Sequence, residues 1–239
     1  MRKDMLNIRA LTCNLLQERL YVAWQEAGRC IIADPGCYSP AEISALEDLL
    51  AQESLRPEAI LLTHGHFDHF FGAKLLQDRF GGIPVYMHPA DEAVLGYSAD
   101  MAGRLGLKAP DTDFTRTPVQ DGQVLEIAGM KWEVIATPGH TPGGVCYLER
   151  EAGVMLTGDT LFAGSIGRTD FLYSEYDDEI RSIMEKLILL DPDIRILPGH
   201  GPTSTIGHER THNPFLEPFN EPEEPIDPEL EPVVIRGDL

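Results

Sequence analysis

The order of apolar and polar residues divides the chain into short apolar runs and longer segments in which apolar residues recur every three or four positions. Short apolar runs predict strands, whereas the longer period predicts helices. In the first half the predicted strands are LNIRALTCNLL, RLYVAWQE, RCIIADPG, AILLT and IPVYM, and the predicted helices are SPAEISALEDLLAQES and HFFGAKLLQDRFG, the latter ended by its glycine. Ser39, Pro40 and Glu42 fit the start of the first helix, as a capping box with proline at the first helical position.

The second half repeats this organisation after a loop-rich stretch, SADMAGRLGLKAPDTDF, whose pattern favours no element. The predicted strands are QVLEIAG, MKWEVIAT, GGVCYLER, GVMLTGD and IRILPG, and DDEIRSIMEKLILLD predicts an amphipathic helix. Each half therefore contains a strand, a loop that carries histidine, and a helix. Strands that alternate with helices predict a mixed α/β protein.

Composition indicates the class of protein and the compartment in which we expect it. A chain of 239 residues with 43% hydrophobic and 24% charged residues is typical of a soluble domain with a sizeable core. No apolar run reaches the length of about 18 residues that a membrane span needs, so we expect no membrane partner. The N-terminus lacks the pattern of a signal peptide, which predicts a cytoplasmic protein. Four scattered cysteines without a CxxC pair predict reduced thiols.

The net charge of −20 argues against nucleic acid as a partner, because a phosphate backbone would be repelled. Part of this charge lies in the C-terminal segment, which includes EPFNEPEEPIDPELEPVVIRGDL and alternates proline with acidic residues. Such a composition predicts an extended tail. We therefore divide the chain into a catalytic domain over residues 1–215 and an acidic, proline-rich tail over residues 216–239.

A cluster of histidine and aspartate follows the predicted strand AILLT. His64, His66, Asp68 and His69 lie within THGHFDH. Neutral imidazoles and carboxylates are ligands for zinc and related divalent metals, whose charge removes the penalty of massing them. Because four donors so close in sequence crowd a single ion, two adjacent ions suit them better.

The rest of the chain offers further donors at equivalent places. His140, Asp159 and His200 each follow a predicted apolar strand and have glycine beside them, in TPGHTPGG, LTGDTLF and LPGHGPTS. Glycine lets the backbone come close to a crowded centre. Asp34 in IADPG is read as a turn residue, with support of a metal ligand as the alternative.

The motifs THGHFDH, TPGHTPGG, GDTLFAGSIGRTD and LPGHGPTSTIGHERTHNPF resemble, in this order, those of the metallo-β-lactamase superfamily and within it the glyoxalase II-like hydrolases, or hydroxyacylglutathione hydrolases. The resemblance spans residues 6–215. It implies a four-layer αββα sandwich with a binuclear metal site at one edge. Glyoxalase II proper carries a larger C-terminal helical domain, which is expected to be missing here because only 39 residues follow His200.

The resemblance also implies a ligand set. One ion is expected between His64, His66 and His140, the other between Asp68, His69 and His200, with Asp159 bridging them. Two zinc ions per chain are the expected cofactors, with iron or manganese as alternatives in one or both sites. The pattern departs at Phe71, where relatives often carry glycine, a change expected to affect helix packing rather than ligation.

The expected activity is hydrolysis of a small-molecule thioester such as S-lactoylglutathione. Two divalent ions against two carboxylates leave a positive surplus that acidifies a bridging water, and a thiolate leaves without a general acid. Asp68 is expected to orient the nucleophile as well as to bind metal. Arg168, supported by Thr169 and Asp170, is expected to bind an anionic, glutathione-like thiol; pairing of Arg168 with Asp170 alone is the alternative.

Other functions stay open at this stage. Persulfide dioxygenases share the fold and resemble the chain at GRTDF, but use one iron held by two histidines and an aspartate. A lactonase or another hydrolase of the same fold is a second alternative. A metal-stabilised scaffold whose acidic tail recruits a partner is a third. The sequence does not indicate an oligomeric state.

Overall fold

The computed structural model describes residues 6–25 and 28–217, in which fourteen strands follow one another closely along the chain. The first six are β1 (Asn7–Cys13), β2 (Glu18–Trp24), β3 (Arg29–Ala33), β4 (Arg56–Leu61), β5 (Val85–Met87) and β6 (Arg116–Pro118). The others are β7 (Val124–Ile127), β8 (Met130–Ala136), β9 (Val145–Glu149), β10 (Val154–Gly158), β11 (Leu161–Phe162), β12 (Ser165–Ile166), β13 (Arg195–Pro198) and β14 (Ser204–Thr205).

The helices of the described residues connect these strands: α1 (Pro40–Gln52), α2 (Phe67–Phe70), α3 (Ala73–Arg79), α4 (Glu92–Arg104), α5 (Tyr176–Ser182) and α6 (Ile206–His212). Helix α5 continues through Ile183–Leu187 in wider, π-type turns. The start of α1 confirms the predicted capping box, since the Ser39 hydroxyl accepts from the backbone N–H of Glu42 while the Glu42 carboxylate accepts from the N–H of Ser39.

Two six-stranded sheets form the framework, with strand orders β1-β2-β3-β4-β5-β6 and β14-β13-β10-β9-β8-β7. In the first sheet β1 to β3 pair antiparallel and β3 to β6 pair parallel. In the second, β10 pairs parallel with β13 and antiparallel with β9. Parallel pairing needs crossovers, which α1, α3 and α4 supply in the first sheet and α5 in the second.

Alternate residues of each strand enter different apolar layers, as the period of two requires. On β2, Tyr21 and Ala23 face the layer between the sheets, whereas Leu20 and Val22 face the layer under the helices. The second sheet supplies Trp132, Val134, Tyr147 and Leu156 to the middle layer, while its other face packs on Ile183 and Leu187. The fold is therefore the expected αββα sandwich.

Two helix predictions need correction. The segment predicted as one helix over HFFGAKLLQDRFG is two, α2 and α3, which break at Phe71 and Gly72. Gly72 lies against Cys37, where a Cβ would come within 2.4 Å of the Cys37 Sγ atom, and its N–H donates to the Pro35 carbonyl. The stretch read as loop-rich contains most of α4, which packs Leu95 and Ala102 into the core.

The predictions for the cysteines and for membrane spans concern described residues, whereas the predicted tail lies mostly outside them. All four cysteines are buried and free of disulfides, as predicted. The described residues contain no helix with the length and apolarity to cross a membrane. The predicted tail over residues 216–239 lies, apart from its first two residues, outside the described residues, and the boundary at residue 215 stays a prediction.

Candidate metal centre

Strand ends of both sheets bring the predicted donors to one edge of the sandwich. The loop after β4 carries His64 and His66, and the single turn of α2 carries Asp68 and His69. From the second sheet, His140 follows β8, Asp159 follows β10 and His200 follows β13. The two sheets are joined here because the Tyr21 hydroxyl donates to the Pro198 carbonyl and the Tyr147 hydroxyl to the Leu62 carbonyl.

The donors fall into groups whose ligand atoms lie within 4.8 Å of one another. These groups are His64, His66 and His140; Asp68, His69 and His200; and His64, His69 and Asp159. In the first, His66 Nδ1 lies 2.9 Å from His140 Nε2. In the second, His200 Nε2 lies 3.3 Å from Asp68 Oδ2. The structure thus brings together all seven residues that the sequence suggests as ligands.

Asp159 lies between the first two groups. Its Oδ2 atom is 3.6 Å from His140 Nε2 and 3.6 Å from His200 Nε2, and its Oδ1 atom is 3.4 Å from His69 Nε2. One carboxylate therefore faces donors of both groups, as a bridging ligand must. The division of these ligands between two ions stays a prediction.

The chemistry of the buried donors fits divalent cations. Within the described residues, His64 Nε2, His69 Nε2 and Asp159 Oδ1 are buried without a hydrogen-bond partner, which is costly unless another ligand is bound. Burial lowers the pKa of His66 to about 3 and the pKa of His64 well below its usual value. Both imidazoles are therefore neutral, which is the form that binds metal.

The carboxylates at this edge are ionised despite their burial. Burial alone would raise the pKa of Asp159, but His69 opposes it and holds this pKa well below its usual range. The pKa of Asp68 is likewise lowered, because His69 and the hydrogen bond with His200 outweigh burial. Against the opposing effect of burial, these carboxylates raise the pKa of His69 well above its usual value and also raise the pKa of His200. A bound cation would balance the carboxylates in place of the protons that these two histidines then hold.

Asp34 supports two of the histidines, which is the alternative to the turn role that its sequence context favours. Its Oδ1 atom accepts from the Thr63 N–H at 2.7 Å, and its Oδ2 atom accepts from the Thr63 hydroxyl at 2.6 Å and faces His69 Nδ1 at 3.1 Å. The Thr63 hydroxyl also lies 3.0 Å from His64 Nδ1. With φ of +45°, Asp34 is a turn residue as well. Such outer partners orient metal ligands and fix their tautomers.

Asp91 holds the two histidine-bearing loops together and was not identified from the sequence. Its carboxylate accepts from the N–H of Gly65 at 2.7 Å, the Thr141 hydroxyl at 2.9 Å and the N–H of Gly143 at 2.5 Å. Its partners Gly65 and Gly143 are 26 and 52 positions distant along the chain, so no local pattern reveals it. Glu179 on α5 acts similarly on one loop, accepting from the His140 N–H at 2.8 Å.

A cleft of about 550 Å³ opens over the donors, lined by His66, Asp68, His140, Asp159 and His200 at its floor. Arg168 and Asp170 lie at its wall, whereas Thr169 is half-buried and is not part of the lining. The Arg168 guanidinium makes two hydrogen bonds to Asp170, at 2.9 and 2.7 Å, and lies 4.6 Å from the centre of the Phe171 ring. The pairing of Arg168 with Asp170 is therefore present.

Fold and donor set define an α/β sandwich protein with a candidate metal site. The family model described as the metallo-beta-lactamase superfamily matches residues 15–200, and the chain belongs to this superfamily. Membership makes the protein a metallo-hydrolase by class, and the His/Asp groups fit divalent metals.

Individual relatives are similar over most of their length. Hydroxyacylglutathione hydrolase GloC from Haemophilus influenzae is 37% identical over 216 residues, which cover 88% of this chain and 98% of that protein. The crystal structure of BLEG-1 B3 metallo-beta-lactamase is 35% identical with a TM-score of 0.76, covering 88% of this chain and 100% of the other. The crystal structure of TTHA1623 in a di-iron-bound form is 35% identical with a TM-score of 0.78, covering 87% and 100%.

Proposed function

We propose that the protein is a binuclear metal-dependent hydrolase that cleaves a thioester such as S-lactoylglutathione. The observation that carries the proposal is the pair of three-residue donor groups with the Asp159 carboxylate between them. In this proposal His64, His66 and His140 hold one ion, and Asp68, His69 and His200 hold the other. The name of the relative from Haemophilus influenzae supports a glutathione thioester.

The proposed ions are zinc, with iron or manganese as alternatives; the di-iron form of TTHA1623 makes iron a serious one. When bound, two such ions supply an acidified water and a polarised carbonyl at neutral pH. The chain provides the neutral imidazoles of His64 and His66, ionised carboxylates, and a floor on which most donors are buried. Metal identity depends on availability as well as on ligands.

Asp68 is proposed to orient the attacking water in addition to binding metal. It lines the floor of the cleft, is ionised, and lies 3.3 Å from His200 Nε2. The water oxygen bonds to the thioester carbonyl carbon, the carbon–sulfur bond breaks, and the sulfur takes the bonding electron pair. The products are a carboxylic acid and a thiol. A thiolate is stable enough to leave without a proton donor, so the reaction needs no dedicated acid.

Arg168 is proposed to bind an anionic group of the thiol half of the substrate, with Asp170 as its neighbour. Because Arg168 is already paired with Asp170, a substrate carboxylate must share or replace that partner. Both side chains are about two-thirds exposed, where water screens ion pairs and makes them weak, so exchange of the partner costs little. A role for Thr169 has no support from the lining of the cleft.

A mononuclear iron persulfide dioxygenase is the second candidate, because His64, His69 and Asp159 form a group of two histidines and one carboxylate. That combination suits non-haem iron. The remaining donors favour the hydrolase, since a single ion leaves the group of His66 and His140 unused.

Metal analysis of protein purified from its own host, run beside a thioester assay, tests the proposal. We expect two metal ions per chain and loss of thioester absorbance without oxygen uptake. The variant His64→Ala should lose metal and activity together, whereas His208→Ala, on α6 and exposed, should retain both. Arg168→Ala should raise KM with metal retained.

Two outcomes would replace the proposal. One iron per chain with oxygen consumption on glutathione persulfide would establish the dioxygenase. Full metal loading without turnover of thioesters, lactones or phosphodiesters would favour a binding or scaffold protein.

A further inference from the structure

The walls of the cleft above the donors are largely apolar. The floor is polar, but the surfaces that rise from it come from Leu16, Phe67, Met101, Leu105, Phe171 and Leu172. These side chains belong to separate segments: the turn between β1 and β2, the turn of α2, the end of α4, and the loop after β12. Their convergence around one opening is produced by the fold and not by a single apolar stretch.

Three of these residues are unusually exposed. Leu16, Leu105 and Leu172 have 36%, 49% and 53% of their surface accessible to solvent. A single exposed leucine is ordinary, but several around one concave opening mark a surface that binds an apolar group. Because the opening leads directly to the donors, an apolar group that covered these leucines would lie next to the donors as well.

The charged groups of the cleft wall do not change this character. Arg104 pairs with Asp100 at 2.8 Å and lies over the Tyr97 ring, as Arg168 pairs with Asp170 and lies over Phe171. Each cation is thus matched by a carboxylate and covers an aromatic face. What remains next to the donors for the acyl half of a substrate is hydrocarbon surface.

We infer that the cleft selects thioesters whose acyl group is an unsubstituted hydrocarbon chain, with Leu105 and Leu172 as specificity-determining residues. This inference rests on the proposed thioester hydrolysis and names the acyl class for it. A short hydroxyacyl group such as lactoyl covers little of this wall, whereas a chain of four to six carbons extends from the floor along it. Each methylene removed from water contributes to binding in the transition state.

Kinetics on the metal-loaded full chain test the inference with S-acetyl-, S-butanoyl-, S-hexanoyl- and S-lactoylglutathione. We expect kcat/KM to rise between about twofold and fourfold for each added methylene. The double variant Leu105→Gln/Leu172→Gln should reduce the hexanoyl-to-acetyl ratio at least tenfold. The double variant Leu75→Gln/Leu189→Gln, which changes leucines that are 39% and 73% exposed outside the cleft lining, should keep the wild-type ratio.

Calorimetry with acetate, butanoate and hexanoate separates this inference from the proposed function. Affinity that rises with chain length and falls in the Leu105→Gln/Leu172→Gln variant supports the apolar wall even if no thioester is hydrolysed, an outcome that would reject only the proposed function. Hydrolysis that favours S-lactoylglutathione, with rates and alkanoate affinities independent of chain length, would overturn the inference and leave the proposed function standing.

Discussion

Replacing Asp34 with asparagine turns an acceptor beside His69 into a donor and leaves the shape of the side chain unchanged. In the wild type, Asp34 Oδ1 accepts from the Thr63 N–H and Asp34 Oδ2 faces both the Thr63 hydroxyl and His69 Nδ1. Asparagine tolerates the φ of +45° as aspartate does. If its oxygen keeps the bond to the Thr63 N–H, its NH₂ group faces His69 Nδ1.

The size of the effect follows from the tautomer of His69. A neutral imidazole that accepts at Nδ1 carries its proton on Nε2. Nε2 is the atom 3.4 Å from Asp159 and 3.8 Å from Asp68, and a protonated nitrogen does not bind a cation. We therefore expect metal affinity to fall about 10- to 100-fold, or roughly 1.4 to 2.7 kcal/mol. The free energy of unfolding of the metal-free protein should change by only about 1 kcal/mol, because the Thr63 hydroxyl, which donates to Asp34, can instead accept a hydrogen bond from the asparagine NH₂ group.

Competition with a chromophoric chelator measures this difference for each ion. We expect one ion, at Asp68, His69 and His200, to be weakened and the other to be retained. Asp78→Asn is the matched control, since the Asp78 side chain is 61% exposed and pairs only with a surface lysine in the described structure. Unchanged affinity for both ions in Asp34→Asn would refute the tautomer argument, and loss of both ions with several kcal/mol of stability would show a purely structural role.

Asp91→Ala should lower the free energy of unfolding by roughly 3 to 5 kcal/mol in urea titrations, because three charge-assisted hydrogen bonds are lost. Burial raises the pKa of Asp91 from 3.8 to about 6, so the folded state holds this proton more tightly. Below pH 3.8, the free energy of unfolding of the wild type should therefore exceed that of Asp91→Asn by about 3 kcal/mol. This difference should be lost as the pH rises through 6, and the opposite pH dependence would contradict the burial argument. Gly199→Ala should abolish metal binding, since its Cβ would lie 2.4 Å from Asp159 Oδ1, whereas Gly96→Ala on α4, where a Cβ meets no neighbour within 4 Å, should stabilise by about 0.5 to 1 kcal/mol. Normal metal loading of Gly199→Ala would show that the donors tolerate displacement.

Ten of the fourteen strands of the described residues, and the places of the donors, were predictable because both are local features of the sequence. The short strands β6, β11, β12 and β14 were not predicted. Alternating or continuous apolar runs mark β2, β4, β9 and β10, and these strands lie where the sequence indicates. Each donor follows directly after such a run, and strand ends of a sandwich meet at one edge. The ligand groups therefore follow from local patterns together with the resemblance of the motifs.

Helix α4 was not predictable because its stability comes from tertiary packing. Gly96, Ser98 and Gly103 weaken its helix propensity. The helix is held by burial of Leu95 and Ala102, and the Ser98 hydroxyl donates to the Gly65 carbonyl. The break between α2 and α3 has the same kind of cause, because it depends on the contact of Gly72 with Cys37, which lies before α1 in the chain.

The roles of Asp34 and Asp91 were hidden for a related reason. Asp34 meets Thr63 only because β3 and β4 pair in parallel, with Ala33 opposite Leu61. Local sequence identifies the turn but not the partner across the sheet. The effect of Phe71 on helix packing stays a prediction; its ring centre lies 4.7 Å from that of Tyr38 and 5.5 Å from that of Phe67.

The donors are shared between the two sheets: four come from the loop and turn after β4, and three from the ends of β8, β10 and β13. Neither sheet alone supplies a complete ligand group of the proposed pair, because each group combines residues that follow β4 with one residue from the second sheet. Cations bound there would link two halves that otherwise meet through apolar packing and hydrogen bonds such as those from Tyr21 to Pro198 and from Tyr147 to Leu62. At a free concentration one hundred times its dissociation constant, each ion adds about 2.7 kcal/mol to the free energy of unfolding. Removal of the ions by a chelator should therefore make the contact between the two sheets the first part of the molecule to open.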